Sequence, residues 1–216
     1  MRQLSEALFR LLQELTPGRR RAMYGDLDYD FEHSVDTTRA NVPFRTQLSA
    51  ALAGHQYFPT EPWLFAEIMA ALPIDFSRFT FVDLGSGKGR ALLMASEYGF
   101  HSIAGVEFMP ALHRLAEENI RSFTAKHAIR VPLHSLCLDA RDCVFPLEPL
   151  VVYMYNPFPE PVLSSVLANL RQSDEQHPRP IYLAYRYPEF QELLGKAGWL
   201  RKIAGTEQWA IYSNRG

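Results

Sequence analysis

Two cysteines, Cys137 and Cys143, are all the sequence carries. One pair does not staple a chain of this length, so both read as reduced thiols of a cytoplasmic protein. Their Cys-x5-Cys spacing is poor for zinc, and seven scattered histidines add no ligand pair at metal spacing, so no metal is expected. Long apolar runs are missing too. The longest uncharged apolar stretch, between Glu148 and Glu160, is broken by Pro149, Asn156 and Pro157, where a membrane span needs about 20 apolar residues. The first helical pattern carries Arg2, Glu6, Arg10 and Glu14 where a signal peptide would need an apolar core. No sign of charge dominates: 22 basic against 24 acidic residues leave a net charge of -2. That excludes charge-driven disorder and argues against a general nucleic-acid binder. Repeats and low-complexity tracts are also lacking.

What is present is an ordinary globular composition, 47% hydrophobic, which supports a sizeable core. Residues 2–15 read as an amphipathic helix with Leu4, Leu8 and Leu15 in register, closed by Thr16-Pro17-Gly18. Arg19–Arg21 and an acidic, aromatic run follow, and 38–53 reads as helical. From Glu61 the pattern becomes regular. A helix opens at Pro62 with Trp63, Phe65, Ile68, Met69 and Leu72 as its apolar stripe. Strands are expected at 79–84, 102–107, 131–138, 150–155 and 180–185, with helices at 90–98, 110–125, 160–171 and 189–197 between them. The tail, 199–203 and 207–213, reads as an antiparallel hairpin about Gly205-Thr206. Alternation of this kind implies a mostly parallel sheet with helices on both faces, and ligands bind beyond the carboxyl ends of its strands.

The strand ends are therefore where chemistry should lie. After the first comes Asp83-Leu84-Gly85-Ser86-Gly87-Lys88-Gly89-Arg90. Its glycines allow a tight turn and close approach of backbone to ligand, and a helix N-terminus follows. After the second comes Glu107, where a carboxylate accepts from both ribose hydroxyls. After the third comes Asp139-Ala140, and after the fourth Asn156-Pro157-Phe158-Pro159. Each motif alone has a bland reading as a turn or a cap; their order, one behind each strand, is what points to a nucleotide-like ligand.

Residues 57–213 resemble a class I S-adenosylmethionine-dependent methyltransferase: Phe81–Arg90 is similar to the family's first motif, and Val106-Glu107 to its second. The resemblance implies a three-layer α/β sandwich whose seven-stranded sheet runs 3-2-1-4-5-7-6 with the last strand antiparallel. It implies S-adenosylmethionine as cofactor, with Asp83, Gly85, Ser86, Gly87 and Gly89 around its methionine part and Glu107 on the ribose. Phe108 would lie beside the adenine, Asp139 would bond the adenine amino group, and Ala140 would cover its face. Tyr57-Phe58-Pro59-Thr60 resembles a Tyr-x-Pro-Thr segment of seven-strand lysine methyltransferases, in which Tyr57 and Thr60 would close over the cofactor. An ordinary proline-led helix entry is the alternative for that stretch. A nicotinamide Rossmann fold is the nearest rival, but Arg90 stands where its fingerprint packs a small residue.

Asn156, Pro157 and Phe158 resemble the Asn/Asp-Pro-Pro-Tyr/Phe motif of amino-methylating enzymes, with the second proline missing. The resemblance implies N-methylation. Asn156, which also borders the cofactor, would accept hydrogen bonds from the target amine, and Phe158 would stack on the target plane. O- or C-methylation of a small molecule is the alternative. The expected domains are 1–56, a helical extension and substrate lid, and 57–216, the methyltransferase domain. In that lid Asp26, Asp28 and Asp30 would share one face if extended, and with Tyr24 and Tyr29 would recruit a cationic amine. A solvated acidic face is the bland reading. Tyr155 would reach the substrate. The expected partner is a small molecule or a protein side chain, with no strong nucleic-acid binding and no membrane.

Overall fold

A computed structural model describes residues 27–38 and 59–215. The expected helices at 2–15 and 38–53, and Tyr24, Asp26 and Tyr57, lie outside the described residues, as does the side chain of Asp28. Helix α1 is Leu27–His33 and α2 is Pro62–Ala70. Then come β1 (Thr80–Leu84), α3 (Arg90–Ala95), β2 (Ser102–Glu107), α4 (Pro110–His127), β3 (Leu133–Cys137) and β4 (Leu150–Tyr155). The chain ends with α5 (Glu160–Gln176), β5 (Ile181–Arg186), α6 (Gln191–Lys196), β6 (Arg201–Gly205) and β7 (Trp209–Ser213). The strands form one sheet in the order β3-β2-β1-β4-β5-β7-β6. All neighbours are parallel except β7, which pairs antiparallel with both β5 and β6. This is the sheet implied by the sequence resemblance.

β-alternation divides the core in two. Val82, Leu84, Val152, Met154, Leu183 and Tyr185 face α5, where they meet Leu163, Val166 and Leu170. Phe81, Val151, Tyr153 and Ala184 face the other way, against Leu64, Phe65 and Ile68 of α2 and Leu92 of α3. β1 and β4 are buried on both faces apart from Tyr155, as central parallel strands must be, which is why β4 reads as an unbroken apolar run.

One local expectation shifts. Phe65, Ile68, Met69 and Leu72 are buried as expected, but Leu64 completes the inward stripe of α2 in place of Trp63, which is 59% exposed. β3 is an edge strand, and its His134 and Cys137 are exposed. His113 is half-buried and bonds Ser135 Oγ at 2.9 Å, tying α4 to that edge.

β2 and α3 touch at Gly105. A Cβ there would lie 2.6 Å from Leu92 Cδ1 and 2.9 Å from Ser86 Cβ, so helix and glycine-rich turn close onto the strand only because the side chain is missing. Gly105→Ala is therefore expected to cost about 1–3 kcal/mol in urea unfolding through overpacking. An unchanged midpoint and slope would contradict this packing.

Candidate cofactor and active site

The turn after β1 is built from three left-handed glycines, Gly85 (φ 78), Gly87 (φ 54) and Gly89 (φ 84), a region open to glycine and costly to other residues. The amides of Gly85 and Ser86 donate to Val106 O at 2.8 and 3.0 Å. Glu107 holds the turn from the next strand. Its Oε2 accepts from Gly87 N at 2.9 Å and its Oε1 from Met109 N at 2.8 Å. Each carboxylate oxygen keeps a lone pair for a further donor.

Asp83 and Glu107 are both buried, and among the described residues neither pairs with a cation. Burial, and then the neighbouring Glu107, raises the Asp83 carboxyl well above the usual carboxylate range. Burial raises Glu107 as well, against the two amide donors. Two desolvated carboxylates without a counter-ion suit a ligand that brings positive charge and hydroxyl groups. S-adenosylmethionine has both, in its sulfonium, ammonium and ribose.

Beside this turn lies a cavity of ≈ 140 Å³ walled by Gly85, Val106, Phe108, Leu138, Ala140 and Phe158 with Asp139, Pro157 and Val162. The flat apolar lining suits an adenine ring. Asp139 borders it, but its carboxylate is held by Arg141 at 3.0 and 2.7 Å, so the adenine amino group would share an acceptor already engaged. Phe158 packs into this wall and against the core beneath α5. The stacking platform for a target base, expected of Phe158, is thus absent: without the second proline the ring turns toward the cofactor side.

Asn156 ends β4 with φ 37. Its Oδ1 accepts from the Tyr185 hydroxyl at 2.7 Å, and its Nδ2 donates to Glu189 Oε2 at 2.8 Å. Pro157 then rests on the cofactor turn: a Cβ at Gly85 would lie 2.5 Å from Pro157 Cβ. Thr60 reaches the same end of the sheet on the opposite face, where its hydroxyl bonds the buried Tyr153 hydroxyl at 2.8 Å. The ring of Tyr155 lies under the Arg186 guanidinium at 4.7 Å, so that face is not open to a substrate cation.

The acidic segment departs furthest from expectation. Residues 27–33 are helical, so Asp28 and Asp30 do not alternate on an extended face. Asp30 is buried and turns inward: it accepts from Thr37 Oγ1 at 2.5 Å, from the amides of Thr37 and Thr38, and from Arg90 Nη2 at 3.2 Å. Arg90 also bonds the hydroxyls of Thr37 and Thr38. Its guanidinium lies 5.0 Å from the Tyr29 ring, which is buried beside it. Lys88, fully buried, pairs with Asp36 at 3.2 Å, and Asn119 bridges Asp36 O and Lys88 O. Tyr29 and Asp30 thus fasten the N-terminal segment to the cofactor turn and are not placed to recruit a soluble cation.

Sequence reasoning missed Arg90 as this clasp, although a bulky cation directly after three glycines was a visible signal. It also missed Tyr185 and Glu189, because the ends of only four strands were inspected.

A family model described as "Histone methylation protein DOT1" matches residues 51–129, the stretch that contains the cofactor turn and Glu107. Among curated proteins none matches the chain. Solved structures share the fold at low identity. The mitomycin 7-O-methyltransferase MmcR aligns with TM-score 0.53 and 14% identity over 93% of this chain and 68% of its own. A precorrin 8w decarboxylase of Methanobacterium thermoautotrophicum aligns at 0.52 and 16%, over 73% and 91% of the two chains. A putative S-adenosyl-L-methionine-dependent methyltransferase of Methanococcus maripaludis aligns at 0.51 and 13%, over 70% and 83%.

The clasp carries a pH signature. Burial alone would raise Asp30, but the Thr37 and Thr38 hydrogen bonds and Arg90 outweigh it and leave its carboxyl below the usual range. A depressed folded-state value contributes stability above the unfolded value and loses it as pH falls through the folded one. Arg90→Ala strands a buried carboxylate and should cost about 3–5 kcal/mol at neutral pH. Urea midpoints equal to wild type would refute the clasp. The raised carboxyls act in the opposite sense: the ligand-free fold loses stability as pH rises through their window, and a cationic ligand favours their charged forms. Binding of S-adenosylmethionine should therefore release protons and tighten as pH rises above the ordinary carboxylate range. Calorimetry in buffers of differing ionisation enthalpy would show no proton release if these groups stand away from the ligand.

The sheet order is that of the class I methyltransferase fold, and the matched family model covers the stretch of it that carries the glycine turn and Glu107.

Proposed function

We propose that this enzyme methylates the nitrogen of an amine, on a protein side chain or a small molecule, at the carboxyl end of β4. The observation that carries the reading is Asn156-Pro157, whose proline lies against Gly85 of the cofactor turn while the asparagine amide is fixed at both ends. S-adenosylmethionine supplies a methyl group activated on a sulfonium. The chain's task is then to present a nucleophile in line with that methyl, with water excluded. The substrate amine attacks as the neutral base: the C–N bond forms, the C–S bond breaks with its electron pair passing to sulfur, and the amine's surplus proton leaves to solvent.

Asn156 Oδ1 already accepts from Tyr185, so it offers the amine its remaining lone pair, and the adjoining backbone carbonyl supplies the other acceptor. The match to the histone-methylation model supports an amine on a protein as one form of the substrate. In this reading Asp83, the glycine turn and Glu107 hold the cofactor, with Phe108, Asp139, Ala140 and Phe158 about its adenine. Residues 27–38 belong to an N-terminal extension that covers the turn, and its clasp replaces the acidic lid expected from sequence.

Labelled S-adenosylmethionine presented with matched amine and hydroxyl acceptors, read by mass spectrometry, should give N-methyl products. Asn156→Ala should retain cofactor affinity and lower kcat by about 10²-fold, since orientation of the lone pair counts chiefly in the transition state. Exclusive O- or C-methylation, or full turnover by the variant, would overturn the proposal.

A further inference from the structure

β4 and β5 end alike. Asn156-Pro157 and Tyr187-Pro188 both place a residue other than glycine at positive φ, 37 and 53, directly before a proline. The residue before proline is ordinarily held to extended backbone, so each conformation carries strain that the surroundings must hold. Tyr185 holds the first: its hydroxyl donates to Asn156 Oδ1 at 2.7 Å. Tyr187 N is fixed to Gln208 O at 2.7 Å, and Glu189 N to Tyr187 O at 2.9 Å. The strained pair of turns thereby sets one carboxylate, that of Glu189, against Asn156 at 2.8 Å.

Among the described residues no cation pairs with this carboxylate. Glu189 is exposed, and among the described residues only Asn156 Nδ2 meets its side chain, leaving Oε1 open. Arg186, close in sequence, faces the other side of the sheet, where it pairs with Glu61 at 3.3 Å and covers Tyr155. A carboxylate held by an asparagine amide, two residues beyond a strained turn and one proline away from the cofactor turn, is a receptor for a cationic group arriving at Asn156.

We infer that Glu189 is the specificity-determining residue of the site: its carboxylate captures the substrate as an ammonium and so restricts the enzyme to cationic amines such as a lysine side chain. Tyr185 is a positioning residue that holds Asn156, whose amide in turn holds Glu189. The inference rests on the amine-methylation reading and adds to it the charge of the substrate. The ammonium is bound first and sheds its proton to solvent before attack, when Asn156 takes over the neutral nitrogen.

The test uses the full chain saturated with S-adenosylhomocysteine, titrated with the capped tripeptide Ala-Lys-Ala and with the same peptide acetylated on its lysine nitrogen. Wild type should prefer the free lysine by about 10-fold or more, as a close charge pair gives. Glu189→Gln should abolish that preference, and Glu189→Asp should keep part of it. Glu207→Gln, an exposed acid on the β6–β7 turn, should keep all of it. In turnover with the free peptide, Glu189→Gln should raise KM with kcat nearly retained, whereas Tyr185→Phe should lower kcat as well because Asn156 loses its anchor. A Glu189→Gln variant that folds as wild type and keeps the preference overturns the inference. The underlying reading fails separately: lysine preference that depends on Glu189, together with methyl transfer only to oxygen or carbon, would sink amine methylation and leave Glu189 as a cation receptor.

Discussion

The contact of Gly85 with Pro157 is the constraint on which the site depends. β1 and β4 are neighbours in register, so the turn that follows one and the Asn-Pro that follows the other are brought to the same place at the carboxyl edge of the sheet. They meet only because Gly85 has no side chain, its Cβ position being 2.5 Å from the proline ring. On one side of this junction lie the buried carboxyl groups of Glu107 and Asp83, and on the other Asn156, Tyr185 and Glu189, the acceptor proposed for the substrate nitrogen.

Charge is distributed with the same economy. Among the described residues the cradle carboxyls are buried without a counter-ion, which disfavours their charged forms in the empty protein and suits a cationic ligand. The cations nearest them in sequence, Lys88 and Arg90, are turned away into the clasp with Asp36 and Asp30. Buried pairs of this kind contribute less to stability than to geometry, since desolvation offsets most of the attraction. Here they decide which way the cations point, away from Asp83 and Glu107, while fastening residues 30–38 over the turn.

The sheet was legible in the sequence because two signals are strong. Strands buried on both faces read as apolar runs, as in Leu150–Tyr155, and a glycine-rich turn after a strand has few other uses. The candidate cofactor residues follow from positions behind strands alone. Side-chain partnerships were not legible. Asp30 looked like a surface acid because its partner Arg90 lies 60 residues away in sequence and no local pattern couples them. Phe158 looked like a stacking platform because the loss of a proline changes where a ring points, a matter of backbone path. Tyr185 lies in the fifth strand and Glu189 just behind it, and only the fold shows that β5 sits beside β4 and brings them to Asn156.

The central claim is that the cofactor cradle and the Asn156–Glu189 pair form a single site. A crystal structure with S-adenosylhomocysteine and the free-lysine peptide tests it most directly. The account predicts the sulfur beside the Gly85–Pro157 junction, facing a lysine nitrogen held between Asn156 and Glu189. A sulfur turned toward the opposite face of the sheet, with Asn156 and Glu189 touching neither ligand, would contradict it.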